Sequence, residues 1–146
     1  MSRTDLYLGV GFAFELLARS AYHRTFPTGR YLTVEILPAL RCGQARFYVN
    51  DDGFPTGLVT WARLSEEVEA EILATGRALQ PQEWTCGERL FFNDFIAPYG
   101  TMAAMIRDLK RNVFPQETAS SIRRLPEGRV RRINRWNSMA RRGTGG

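Results

Sequence analysis

The chain carries a single histidine, His23, in the stretch AYHRTFPTGR. An imidazole, with an ordinary pKa of about 6.5, suits proton transfer near neutrality. Ser20 lies within one turn of His23 and can exchange a hydrogen bond with it. The second residue with chemical promise is Asp94, in RLFFNDFIAP. It sits near the carboxyl end of a strand whose face is otherwise apolar, where a carboxylate costs several kcal/mol unless it is paired or hydrogen-bonded. Asp94 therefore needs a partner, and His23 or an arginine can supply one. Taken by spacing alone, both residues also have a plain structural reading: an incidental loop histidine, and a helix cap or arginine partner.

Much chemistry is excluded by what the sequence lacks. It has no G-x-S-x-G elbow, P-loop, G-x-G-x-x-G or H-E-x-x-H, which argues against hydrolases of that type, NTPases, dinucleotide-binding enzymes and zincins. Cys42 and Cys86 lie far apart without metal-ligand or disulfide-framework spacing, so they read as reduced bystanders in a cytoplasm and no metal site is expected. The longest apolar stretch, LYLGVGFAFELLA, is too short to cross a bilayer, and with no basic start and small-residue cleavage site before it in this sequence the chain is expected to be soluble and untargeted. At 146 residues and 44% hydrophobic content, the chain is expected to form one domain over residues 1–136, with a disordered basic tail at 137–146. Charge is lopsided: the first 106 residues are net −3 and the remainder net +8, giving +5 overall. A basic end of this kind favours an acidic partner.

These residues must be held by elements that the hydrophobic pattern outlines. Leu6, Val10, Ala13, Phe14 and Leu17 mark one face of a helix from Asp5 to Ser20. RYLTVEILPAL and QARFYVND, rich in aromatic and β-branched residues, read as a hairpin, and TGLVTWARL as a third strand. Ser65 is a good N-cap and Gly76 a good stop for the acidic helix SEEVEAEILATG. RLFFNDFIAP reads as a central strand. Alternation places Leu90, Phe92, Asp94 and Ile96 on one face, and Phe91, Asn93 and Phe95 on the other. TMAAMIRDLKRNVF follows as a helix ended by Pro115, and SIRRLPE with RVRRINRWN forms a last hairpin around Glu127 and Gly128. Helix, three strands, helix, strand, helix, two strands is an α+β order: a mixed sheet with helices packed on it. Reactive groups are expected where the central strand gives way to the next helix, at NDFIAPYGT.

SAYHRTFP, ILPAL, WARLSEEVEAE and EWTCGERLFFNDFIAPYG, in this order and at this spacing, resemble the RTX toxin-activating lysine acyltransferase family over roughly residues 10–125. Members of that family are similar to the GNAT acyltransferase fold. They take a fatty acyl group from acyl carrier protein and place it on the ε-amino group of internal lysines in an RTX protoxin. The resemblance implies that His23 and Asp94 are catalytic and that Ser20 has a lesser role. Arg24 and Asn93, which flank them, are candidate substrate contacts, and the resemblance implies no tightly bound cofactor and no metal. Homodimers are common among similar proteins. Phe92 and Asn93 depart from the residues often found beside the aspartate, and the C-terminal part is short.

A lysine with a pKa of about 10.4 needs roughly 4.6 kcal/mol, about 3.4 units at 1.36 each, to lose its proton unaided at pH 7. A base is therefore needed, and His23 is the side chain with a suitable ordinary pKa. Direct transfer and an acyl-His23 intermediate both fit these residues. The donor can be read as well. A coenzyme A-dependent GNAT acetyltransferase, the alternative enzyme, cradles pyrophosphate with R/Q-x-x-G-x-G/A. The matching window here, APYGTM, keeps Gly100 but lacks the leading Arg or Gln and the last small residue. This favours an acidic, protein-borne phosphopantetheine donor, with Arg107, Arg111, Arg123 and Arg124 as candidate docking contacts. A third reading, a basic nucleic-acid-binding arm over IRRLPEGRVRRINRWNSMARR, leaves the HRTFP and DFIAPYG strings unexplained.

Overall fold

The computed structural model describes residues 3–124 and 130–136. The expected tail at 137–146 and the turn around Glu127 and Gly128 lie outside these residues. Helix α1 (Arg3–Arg19) packs Ala13, Leu16 and Leu17 into the core. Strand β1 (Ala45–Val49), β2 (Pro55–Leu64), β3 (Arg89–Ile96), β4 (Ala119–Arg124) and β5 (Val130–Trp136) form one sheet in sequential order. β3 and β4 are parallel and every other pair is antiparallel. With α4 (Glu66–Thr75) between β2 and β3, and α5 (Met102–Asp108) between β3 and β4, this is the GNAT-like α+β arrangement.

Local signals account for most elements. Ser65 Oγ accepts from the Val68 amide at 3.2 Å and opens α4. Gly76 closes it with φ of 71°, a left-handed conformation that a side chain would disfavour. α5 runs on into a π-helical turn, Leu109–Val113, before Pro115 stops the chain.

The segment read as the first strand of a hairpin is helical instead. Residues 28–41 form α2 (Thr28–Tyr31), a π-helical turn (Leu32–Ile36) and α3 (Leu37–Arg41). Leu32, Ile36 and Leu40, four apart, pack against Leu16, Leu17, Leu58 and Ile96. That burial outweighs the strand preference of Thr33, Val34 and Ile36, because β-propensities are small and context-dependent. Pro38 accounts for the wide turn: without an N–H, and with its ring crowding the carbonyl four residues back, it cannot continue a regular helix. The Leu37 amide bonds Leu32 O at the end of the wide turn.

The strict alternation expected along β3 also fails, at one point. Thr60 and Trp61, neighbours on β2, pair with Asp94 and Phe92, so Asn93 is an extra residue on β3. Beyond this bulge Phe95 joins Phe92 and Leu90 in the cluster under α5, while Ile96 joins the cluster under α1. A bulge allows consecutive side chains to project from the same side of the sheet. Asn93 and Asp94 do so, and both reach the segment between α1 and α3.

Candidate active site

Strands β3 and β4 pair only from Leu90 with Ala119 to Phe92 with Ser121. Past that point they part, and a cavity of about 740 Å³ opens between them, within the range of small-ligand sites. His23, Asn93, Asp94, Arg123 and Arg124 line it.

His23 reaches the cavity because α1 stops at Arg19 and the chain makes a 3-10 turn, His23–Thr25. Phe26 is extended, as a residue before proline must be, and Pro27 starts α2. The Arg24 amide bonds Ser20 O at 3.0 Å and the Phe26 amide bonds His23 O at 3.1 Å, which fixes the turn. His23 is 6% exposed, and its ring is held at both nitrogens. Ser20 Oγ lies 2.6 Å from Nδ1, and Asp94 Oδ1 lies 2.8 Å from Nε2. Ionised Asp94 can only accept, so Nε2–H donates to it, and in the neutral ring Nδ1 accepts from the Ser20 hydroxyl. When the ring carries a second proton, the Ser20 hydroxyl turns and accepts from Nδ1–H. The His23 amide also points at Ser20 Oγ, at 3.3 Å.

Tyr31, on α2, donates its hydroxyl to Asp94 Oδ2. Burial, followed by the nearby Asp94 and Glu35 carboxylates, pushes the Tyr31 phenol well above its ordinary value of 10.0. It is therefore a permanent donor at working pH. Tyr22, edge-on to His23 at 4.9 Å between ring centres, is also raised, by burial first and Asp94 second. Its hydroxyl donates to Arg124 O, and Arg123 covers its face at 4.2 Å.

A second polar group adjoins the first. Buried Glu35 accepts from Asn93 Nδ2 at 2.6 Å, and Arg124 Nη1 approaches Glu35 Oε2 at 3.9 Å. Arg124 also donates to Gly76 O at 2.8 Å and Arg77 O at 3.3 Å. It thus ties β4 to the end of α4. Sequence reasoning missed Tyr31, Glu35 and Tyr22, the first two because they sit in the segment read as a strand.

The remaining candidates stand apart. Arg24, Gly100, Arg107 and Arg111 are exposed and outside the cavity wall. Gly100 has φ of 77° in the turn into α5, a conformation glycine adopts freely. Among the described residues, no cluster of His, Cys, Asp or Glu could hold a metal ion, and no helix is long and apolar enough to cross a membrane.

A buried imidazole held between a hydroxyl and a carboxylate, in the wall of a cleft between parting parallel strands, is an arrangement suited to acid–base work on a bound molecule. Comparison with known proteins gives the family. The RTX-I toxin-activating lysine-acyltransferase ApxIC of Actinobacillus pleuropneumoniae is 36% identical over 122 residues, 84% of this chain and 69% of the relative. The lysine-acyltransferase RtxC of Vibrio cholerae is 31% identical over 105 residues, 72% of this chain and 68% of the relative. A protein-lysine myristoyltransferase HlyC of Escherichia coli is 31% identical over 128 residues, 88% of this chain and 74% of the relative. The model of the RTX toxin acyltransferase family matches residues 7–137, a span that holds the whole Ser20–His23–Asp94 network, and the chain belongs to that family.

Proposed function

We propose that the protein transfers a fatty acyl group from acyl carrier protein to the ε-amino group of lysines in an RTX protoxin, with His23 and Asp94 as the catalytic pair. The observation that carries this reading is the 2.8 Å contact of His23 Nε2 with Asp94 Oδ1 inside the cleft, in a chain of an acyltransferase family. The names of the relatives supply the lysine and the toxin.

The reaction joins the lysine nitrogen to the thioester carbonyl carbon and breaks the carbon–sulfur bond, releasing the phosphopantetheine thiol. The ammonium must first lose a proton. Asp94 holds it by charge, and the His23–Asp94 pair takes up the proton as a unit. The departing thiolate is reprotonated from the same pair. Both His23 nitrogens are engaged, at 2.6 and 2.8 Å, so acylation of the ring would break a hydrogen bond before it began. The geometry thus favours direct attack by the amine.

The donor is anionic along its phosphopantetheine and on the surface of its carrier. Arg30, Arg123 and Arg132, all exposed, line the cavity and suit such a donor. Exposed free thiols at Cys42 and Cys86 suit a cytoplasmic setting. Intact-mass analysis of an RTX protein incubated with this enzyme and acyl carrier proteins of several chain lengths is the test. A mass gain of one acyl group at lysine is expected. No gain with any acyl carrier protein, or a gain only with acetyl coenzyme A, would overturn the donor assignment.

A further inference from the structure

The cavity has two unlike walls. On one side are His23, Tyr31, Glu35, Asp94 and Arg124; on the other are Phe92, Phe95, Met102, Ile106 and Trp136. The rings of the second wall form a connected set. Phe92 and Phe95 lie 5.2 Å apart between centres, Phe92 and Trp136 6.0 Å, and Phe95 and Trp136 6.1 Å. Trp136 donates its indole N–H to Ser121 Oγ at 3.1 Å, so its polar end is satisfied inside the protein.

Helix α5 divides its apolar residues between two tasks. Met105, with Leu109 of the π-helical turn that continues it, is buried in the cluster beneath the sheet. Met102 and Ile106, one turn apart on the same face, belong to no core cluster, stay half-buried and line the cavity. Apolar side chains left open in a cleft mark where an apolar ligand group would bury surface. An alkyl chain laid on the opposite wall would strip water from Asp94 and Arg124 without replacing their hydrogen bonds.

We propose that Phe92, Phe95, Met102, Ile106 and Trp136 hold the fatty chain of the acyl donor, and that Ile106 limits the chain length the enzyme accepts. This rests on the acyltransferase reading above. The bulge at Asn93 supplies the link: Asp94 faces the catalytic side and Phe95, the next residue, packs with Phe92 on the other. Adjacent residues of β3 thus face the two walls, so the thioester and the first methylenes pass beside a single point on the strand. Each methylene buried against the wall is worth about fourfold in affinity.

The test offers wild type, Ile106→Trp and Ile106→Ala acyl carrier protein charged with butyryl, octanoyl, dodecanoyl or palmitoyl chains, and reads lysine acylation of an RTX substrate by mass. Filling the wall with Ile106→Trp should lower the palmitoyl-to-butyryl ratio of kcat/KM about tenfold or more, the loss of roughly two buried methylenes. Ile106→Ala should move the preference towards longer chains. The same chain-length profile in all three proteins overturns the proposal. If Ile106→Trp is inactive with every chain, Ile106→Ala decides alone: a shift to longer chains supports the wall, and an unchanged profile overturns it. Wild type that transfers none of the four chains overturns the acyltransferase reading, and this inference with it.

Discussion

His23 and Asp94 stand 71 positions apart in the chain and meet at 2.8 Å, Nε2 to Oδ1. Two local breaks in regular structure make the contact: the end of α1 at Arg19 swings His23 over the sheet, and the β3 bulge turns Asp94 towards it.

A pair that works as a unit should lose its effect when either half is removed. His23→Ala and Asp94→Asn should each lower kcat/KM for lysine acylation by about 100- to 10,000-fold. Asp94→Asn keeps the shape but presents an amide to the ring. The double variant should be little worse than either single one, since coupled catalytic groups are strongly non-additive. Single-turnover acylation rates decide this; losses that multiply in the double variant would show that the two residues act independently.

Tyr31 should leave a signature in alkaline stability. Its phenol is raised by burial, by Asp94 and Glu35, and by its bond to Asp94, with Arg124 partly opposing. The unfolded chain loses that proton near pH 10 while the folded protein keeps it, so above pH 10 the folded state binds more protons. Stability is then fully present below pH 10 and falls as pH rises beyond it, by up to about 1.4 kcal/mol per pH unit for one group. Tyr31→Phe should flatten that fall without abolishing it, because Tyr22 and Tyr48 are raised too. Urea denaturation at several pH values between about 9 and 11 gives the stability at each pH, and so the slope of that fall. Equal slopes in wild type and variant would mean that Tyr31 titrates normally.

The central strand, the α4 caps and the helix after β3 were legible in the sequence because each has a local cause: a hydrophobic run, a serine and glycine at fixed offsets, a proline stop. The segment from Leu32 to Leu40 was not. Leu32, Val34 and Ile36 alternate with Thr33 and Glu35, as in a half-buried strand. Leu32, Ile36 and Leu40 are also four apart, as on a helix, and a period of four is contained in a period of two. Only the packing of α1, β2 and β3 against this segment separates the two patterns. That ambiguity also hid Tyr31 and Glu35, while the bulge at Asn93, a matter of register between strands, left no mark in composition. His23 and Asp94 stood out by residue type and by the strings around them.

Gly87 holds the approach to β3 so closely that no side chain fits. A Cβ there would sit 2.3 Å from the Leu64 carbonyl carbon and oxygen and from the Ser65 nitrogen, all backbone atoms that cannot rotate away. The Gly87 amide bonds Arg63 O at 3.0 Å. Gly87→Ala should therefore destabilise the fold by about 3 kcal/mol or more, through overpacking against an immovable neighbour. Gly57→Ala is the contrast, since its new Cβ meets the flexible Met105 Sδ at 2.7 Å. Thermal unfolding should place Gly87→Ala well below Gly57→Ala, and the reverse order would show that the strand entry can shift.

Glu35 is 8% exposed and holds Asn93 at 2.6 Å, beside Asp94. Glu35→Ala leaves a buried amide without its acceptor and removes the charge facing Arg124, at a cost of about 2–3 kcal/mol. For a chain of this size that lowers Tm by about 4–12 °C. Glu35→Gln keeps an acceptor oxygen for Asn93 and loses only the charge, so its Tm should lie between those of Glu35→Ala and wild type. If Glu35 also orients Asp94 through Asn93, Glu35→Gln should lower kcat at a temperature where the variant is fully folded while KM for the acyl donor stays put. Equal kcat in Glu35→Gln and wild type would confine Glu35 to holding the fold.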